Sequence, residues 1–228
     1  MTVKKAAGAD PRSVIMEAAG EIFADEGFER ATIRKICSRA MVNVASVSYH
    51  FGDKEGLYLS VLRHYREKAN REYPPDRDID AASSPEERLM AYVRSFMFRI
   101  LGQGSPSWYG KLFAREFIEP TRALGVLIEE SIRPSFNEIM KIVSDLIGRE
   151  ADERTLRLCT ASIVGQCLYY RNAREVIKRI TGMDTFTSEE IDGIALHIVE
   201  FSMHAIQSCY GNMRRAHGHR DQGESNGK

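Results

Sequence analysis

The chain's 228 residues are 43% hydrophobic and 28% charged, with 32 Lys/Arg balancing 32 Asp/Glu, which suits a small module plus one larger domain. No run approaches the ~18 apolar residues of a membrane span, and the N-terminal residues MTVKKAAGAD lack the apolar core of a secretory signal. The four cysteines (Cys37, Cys159, Cys167, Cys209) form no CxxC pair, which argues against a disulfide or zinc framework and for a reduced, cytoplasmic protein.

Charge is unevenly placed. Residues 1–71 hold 12 Lys/Arg against 9 Asp/Glu, so a net +3 faces −3 in the remainder. Arg34, Lys35, Arg39 and Lys54 cluster within this basic part, enough for a local positive face on a neutral protein.

Asp10-Pro11 supplies an N-cap and a first-turn proline. Val14, Ile15, Ala18, Ala19, Ile22 and Phe23 then repeat at helical period, and Gly27 fits a left-handed helix stop. Thr32 caps a second helix with Ile33, Ile36, Cys37 and Ala40 on one face. Met41-Val42-Asn43 is short enough only for a turn. A third helix, Ala45 to Phe51, buries Val47 and Phe51 and is expected to turn Ser46, Ser48, Tyr49 and His50 outward. Small or planar hydrogen-bonding side chains on an exposed helix suit base edges and phosphates, and a helix-turn-helix delivers such a helix to the major groove. Asp53 caps a fourth helix from Lys54 to about Arg71, with Leu57, Tyr58, Val61, Leu62 and Tyr65 inward, and Pro74-Pro75 ends it.

Gly27-Phe28, Thr32-Ile33, Ile36-Cys37, Ala40, Val44, Val47, Tyr49-His50-Phe51 and Lys54-Glu55, in ungapped register, closely resemble the N-terminal domain of the TetR/AcrR family of bacterial repressors. The resemblance implies a homodimer whose two reading helices enter successive major grooves of a palindromic operator, ~34–36 Å apart in helix-turn-helix geometry. It also implies release from DNA by a small-molecule effector. One departure stands out: the turn of that family usually carries glycine where this chain has Met41, a position that tends to need positive φ. The residues expected at DNA are Thr32, Arg34, Asn43, Ala45, Ser46, Ser48, Tyr49, His50 and Lys54.

Beyond the polar stretch 76–83, Ser84-Pro85-Glu86-Glu87 is a capping box opening a helix to about Leu101. A shorter helix follows from Trp108 to Ile118. A long one runs from Thr121 towards Ile147, and Pro134 within it removes the bond to the Glu130 carbonyl and predicts a kink. Helices from Asp152 to about Tyr170, through Val176 to Ile180, and from the Thr187–Glu190 capping box to Tyr210 complete an all-α chain. The segments WYGKLFAREFIEPT and GQCLYYRNAREV, with IRPSF between them, resemble the C-terminal domain of the CecR-like subgroup of TetR regulators, which implies an all-helical, dimeric effector domain.

The expected organisation is a helix-turn-helix domain over 1–53, a connecting helix over 54–75, an effector and dimerisation domain over 84–210 and a disordered tail over 211–228. Arg115 and Glu116 interrupt an otherwise apolar helix, so they are turned outward, bonded to each other or to another helix, or lining a polar spot in a pocket. With Phe96, Met97, Trp108, Phe113 and Tyr169 they form the candidate effector wall. Dimerisation is expected through Leu156, Cys159, Ile163 and Cys167 with Ile194, Ile198, Ser202 and Ala205. No catalytic arrangement, phosphate loop, metal set or cofactor motif is found, so an enzyme is not expected. A small helical enzyme or a protein-binding adaptor is the alternative. An enzyme has no reason to expose Ser46, Ser48, Tyr49, His50 and Lys54 together.

Overall fold

Asp10 starts the first helix: its carboxylate accepts from the Arg12 amide at 3.1 Å, and Pro11 sits where a missing N–H costs nothing. The computed structural model describes residues 10–77, 79–102, 106–148, 151–182 and 185–218. Helix α1 (Pro11–Arg30) is broken at Gly27, whose φ of 81° only glycine adopts without strain. Thr32 then caps α2 (Ile33–Ala40), and Asn43 caps α3 (Val44–Phe51) by accepting from the Ala45 amide at 3.0 Å. Helix α4 spans Lys54–Glu72. Met41 joins α2 to the turn at φ 52°, ψ 43°, the one non-glycine at positive φ among the described residues. A side chain there costs ~1–2 kcal/mol; Met41 accepts the strain, and its side chain is exposed.

These four helices share a unit with two later ones, α6 (Ser107–Ile118) and α7 (Arg122–Leu127), the described parts of 1–72 and 103–130. That departs from the sequence reading, which places every residue from 84 to 210 in one domain. The cause is visible in the packing. Tyr109, Leu112, Ala123 and Leu127 are buried in the same core as Ile15, Phe23, Ile36, Val47, Leu57 and Leu62. Trp108 lies over Gly20 so closely that a Cβ there would come within 2.0 Å of the indole ring. The indole N–H donates to Glu17 at 3.2 Å, and the ring meets Tyr65 edge-on at 4.7 Å. Phe23, Phe28 and Tyr58 form a second aromatic cluster, with Phe23 and Tyr58 centroids 4.9 Å apart.

The second unit, the described parts of 73–102 and 131–228, is built from α5 (Pro85–Leu101), α8 (Arg133–Ile147), α9 (Glu153–Asn172), α10 (Arg174–Thr181) and α11 (Ser188–Gly218). Helix α5 packs against α8, α9 and α11 through Leu89, Tyr92, Val93 and Met97, which meet Ile139, Val143, Ile163, Ile191, Ala195 and Ile198. Both capping boxes form: Ser84 with Glu87, and Thr187 with Glu190. The kink expected at Pro134 takes a definite form. A π-helical turn over Ile128–Ile132 separates α7 from α8, absorbing the amide that Pro134 lacks. Where a disordered tail was expected from Gly211, α11 continues to Gly218, and the rest of that tail lies outside the described residues. Burial pushes the Cys167 thiol up to about 12, so it stays protonated and packs as an apolar residue.

The Gly20–Trp108 approach reverses an ordinary substitution. Gly→Ala inside a helix usually stabilises by roughly 0.5–1 kcal/mol. Gly20→Ala here is expected to lower thermal stability, at the ~1–3 kcal/mol of overpacking. In a Trp108→Ala background the same change becomes neutral or stabilising. Thermal unfolding of the four proteins checks this, and a Gly20→Ala variant as stable as the parent contradicts it.

Candidate nucleic-acid interface

The α2–α3 pair is held by caps at both N-termini and by a buried stripe of Ile36, Cys37, Ala40 and Val47. At 100° per residue, Ala45 and Tyr49 fall nearly opposite Val47. The exposed face of α3 is accordingly Val44, Ala45, Ser48 and Tyr49, and Tyr49 is 85% exposed. Ser46 and His50, expected to point outward with Ser48 and Tyr49, are half-buried, because each lies beside the Val47–Phe51 stripe. His50 instead meets the Tyr49 ring edge-on at 4.9 Å and props it outward.

Thr32 and Asn43 act first as caps. Thr32 Oγ1 accepts from the Lys35 amide at 3.3 Å, which leaves its hydroxyl hydrogen to donate, and both residues are exposed. The basic residues divide sharply. Lys35 is paired with Glu26 and Arg39 with Glu21, both on α1. Arg34 is exposed and forms no ion pair among the described residues. Lys54, assigned by sequence to the DNA backbone, points inward to α1. Its Nζ donates to the carbonyls of Phe28 at 3.0 Å, Ala31 at 3.3 Å and Glu29 at 3.4 Å, and lies 4.4 Å from the Phe28 ring centroid. An ammonium at the carbonyl end of a helix is favourably placed, and these contacts engage all three of its donors.

Two contributors escaped the sequence reading. Val44 belongs to the exposed face although its apolar character suggests core. Arg12 stands over the Phe51 ring at 5.6 Å, adding an exposed cation at the end of α3. No spacing rule links Arg12 to Phe51. Such a face offers methyl groups, two hydroxyls and flanking guanidinium groups, the chemistry of thymine methyls, base edges and phosphates.

The residues of the expected effector wall are divided between the two units. Phe96, Met97 and Tyr169 belong to the second unit, where Met97 is fully buried in the core and Tyr169 is exposed. Trp108, Phe113, Arg115 and Glu116 belong to the first. Arg115 pairs with Glu119 at 2.9 Å and donates to the Ala24 carbonyl at 3.3 Å beside the α1 break. Glu116, 1% exposed, accepts from the Tyr58 hydroxyl at 2.6 Å, the Thr121 amide at 2.6 Å and the Thr121 hydroxyl at 2.8 Å. Both side chains thus have structural duties: Glu116 and Arg115 do not pair with each other. Burial and the nearby carboxylate push the Tyr58 phenol far above its usual range, so it remains a donor. Among the described residues no cluster of His, Cys, Asp and Glu could hold a metal ion, and no helix is long and apolar enough to cross a membrane.

Residues 15–61 match the family model for bacterial regulatory proteins of the tetR family, and residues 85–206 match the C-terminal domain of the HTH-type transcriptional dual regulator CecR. The chain is 26% identical over 201 residues to the HTH-type transcriptional dual regulator CecR of Shigella flexneri, covering 84% of this chain and 88% of that one. Over 82 residues it is 37% identical to the HTH-type transcriptional repressor NicS of Pseudomonas putida, 36% of this chain and 38% of that one. The fold is shared with a TetR-like transcriptional regulator from Rhodococcus sp. RHA1, at TM-score 0.63 and 15% identity over 90% of this chain and 98% of that one. It is also shared with SCO4454, a TetR-family transcriptional regulator from Streptomyces coelicolor, at TM-score 0.59 and 17% identity over 86% and 95% of the two chains. With family models matching both its helix-turn-helix and more than half its length, the chain belongs to the TetR family of transcriptional regulators, and its C-terminal domain is of the CecR type.

Proposed function

We propose that this chain is a homodimeric repressor that binds a palindromic operator through α3 and leaves it when a small molecule occupies the second unit. The observation that carries the reading is the exposed Val44, Ala45, Ser48 and Tyr49 face on a doubly capped helix. A helical enzyme or an adaptor gains nothing from holding such a face in water. Tyr49 and Ser48 take the base-edge and phosphate contacts, Val44 and Ala45 meet thymine methyls, and Thr32 and Arg34 hold the backbone. Asn43, Ser46, His50 and Lys54 act chiefly by holding these groups in place. A coupling of ~1–3 kcal/mol between effector and operator sites lowers affinity 5- to 150-fold, enough for release.

The dimer face we assign differs from the expected stripe. Ile163, Cys167, Ile198 and Ser202 are buried within the monomer's own core. The apolar surface left uncovered on the neighbouring helices α9 and α11 is Leu158 and Tyr169 with Leu196 and Phe201, between 47% and 60% exposed. Gly165 and Gly193, with open space around them, leave room for close approach across a two-fold axis.

Fluorescence-anisotropy titrations against the chain's own upstream DNA test the readout. Arg34→Ala is expected to weaken binding to all sequences and to reduce the slope of log affinity against log salt by about 0.9, one phosphate contact. Lys54→Met leaves that slope unchanged but lowers the unfolding temperature, since its bonds close α1 onto α4. Tyr49→Ala abolishes preference for the operator over random DNA. A Tyr49→Ala protein that still discriminates sinks the assignment of this face.

Sedimentation separates the two candidate dimer stripes. Leu158→Glu combined with Phe201→Glu should yield folded monomers with weak operator affinity. Ile198→Glu, which puts a charge at a site 1% exposed, should unfold the second unit instead. An intact dimer in the Leu158/Phe201 double variant would move the interface elsewhere.

A further inference from the structure

Helix α2 must hand the chain to α3 within three residues, and two backbone bonds make the turn. The Val42 amide donates to the Cys37 carbonyl at 3.0 Å, and the Met41 amide to the Ser38 carbonyl at 3.3 Å. This pair of bonds closes a helix when the residue after its last turn is left-handed, and Val42 then packs against the core that holds Cys37. Met41 accordingly takes φ 52° and ψ 43°, a conformation that glycine reaches freely and asparagine tolerates. A methionine is strained there. With 65% of its surface exposed, it gains little from the core in return.

Backbone strain held by an exposed side chain points to a role outside the fold. The surroundings narrow that role. Among the described residues from 10 to 102, the large apolar side chains left exposed are Met41, Val44 and Tyr49. All three fall within nine consecutive positions, at the turn and on the reading helix. Val44 lies three residues beyond Met41, at most about 11 Å of chain. With about 3.4 Å per step of a DNA strand, that separation spans about three base pairs. A methionine is unbranched and polarisable, with enough rotatable bonds to settle against a small apolar group. The apolar group that a base pair presents in the major groove is the thymine 5-methyl.

We propose that Met41 is a specificity-determining residue of the operator complex, its thioether end meeting the 5-methyl of a thymine within about three base pairs of the one that Val44 meets. The proposal rests on the reading of α3 as the operator-reading helix, and it extends the reading head into the turn before that helix. Met41 adds a third apolar group to those of Val44 and Ala45, beside the hydroxyls of Ser48 and Tyr49. Stability and recognition then pull in opposite directions at this position. Glycine or asparagine fits the backbone better and reads nothing apolar.

An operator selected from random duplex DNA by the full-length protein, and remade with deoxyuridine in place of each thymine in turn, tests this, because deoxyuridine lacks only the methyl. The parent is expected to lose about three- to fivefold in affinity at the thymine facing Met41, the worth of one buried methyl. Met41→Gly and Met41→Asn should bind the unmodified operator more weakly by the same factor and become indifferent to the substitution at that one position. They should keep the parent's losses at the thymines read by α3. Neither should unfold at a lower temperature than the parent, so the weaker binding is not a folding defect. Met41→Leu, still apolar, should retain the methyl sensitivity. A Met41→Gly or Met41→Asn protein with the parent's deoxyuridine profile overturns the proposal and leaves the α3 reading intact. A loss spread evenly over all thymines overturns it as well, since Met41 then only shapes the turn. Selection that recovers no preferred duplex overturns the α3 reading, and this proposal with it.

Discussion

A carboxylate shut away from water governs how the first unit is put together. Glu116 is 1% exposed, and a carboxyl group so placed is tolerated only when its oxygens are bonded. The Tyr58 hydroxyl on α4 and the amide and hydroxyl of Thr121 at the start of α7 supply that bonding. The donors come from two residues, Tyr58 far back in the sequence and Thr121 just beyond α6, and meeting them fixes α4, α6 and α7 to one another. Around this point Trp108 lies on Gly20, Arg115 reaches the carbonyls of Ala24 and Asp25, and Lys111 pairs with Asp25. The reading helices therefore belong to a body of six helices, two of them supplied from beyond residue 100.

That construction gives the DNA-reading face its rigidity. Helix α1 must stop at Gly27 for Phe28 to turn back onto Phe23 and Tyr58, and the carbonyls freed there are taken up by Lys54 and Arg115. A cation at this helix end is stabilised by the backbone dipoles as well as by its direct bonds. Lys35 and Arg39, tied to Glu26 and Glu21, brace α2 against α1 in the same way. Exposed ion pairs of this kind contribute little energy each, but they consume charges that would otherwise face DNA. Apart from Met41, the exposed set we propose for a nucleic acid is then small: Arg12, Arg34, Thr32, Ser48, Tyr49 and the methyls of Val44 and Ala45.

Local chemistry was legible in the sequence because it acts over a few residues. Asp10, Thr32, Ser84, Asp152 and Thr187 all begin helices, Gly27 ends one, and Pro134 disrupts one. Helical period located the cores of α1 and α4. Partner choice was not legible. Arg115 and Glu116 left a mutual bond and a bond to another helix both open; successive residues on a helix diverge by 100°, so Arg115 pairs with Glu119 and Glu116 accepts from Tyr58 on α4. Lys54 matches a family motif, but whether its ammonium turns to DNA or to the Phe28 carbonyl depends on where α1 ends in space. Which part of each stripe on α9 and α11 stays free was not legible for a related reason. Each helix carries apolar residues on two faces, and only packing against α5 reveals that Ile163 and Ile198 face inward while Leu158 and Phe201 do not.

Amide hydrogen exchange on a Glu116→Leu variant tests the six-helix body most directly, since the leucine leaves the Tyr58 hydroxyl and the Thr121 amide without their acceptor. Protection should fall together in α4, α6 and α7, which the buried carboxylate unites, and in α1, which packs on α4 and α6. Helices α5, α8, α9 and α11 should keep theirs. A loss confined to α6 and α7, or one shared equally by the second unit, would contradict the account.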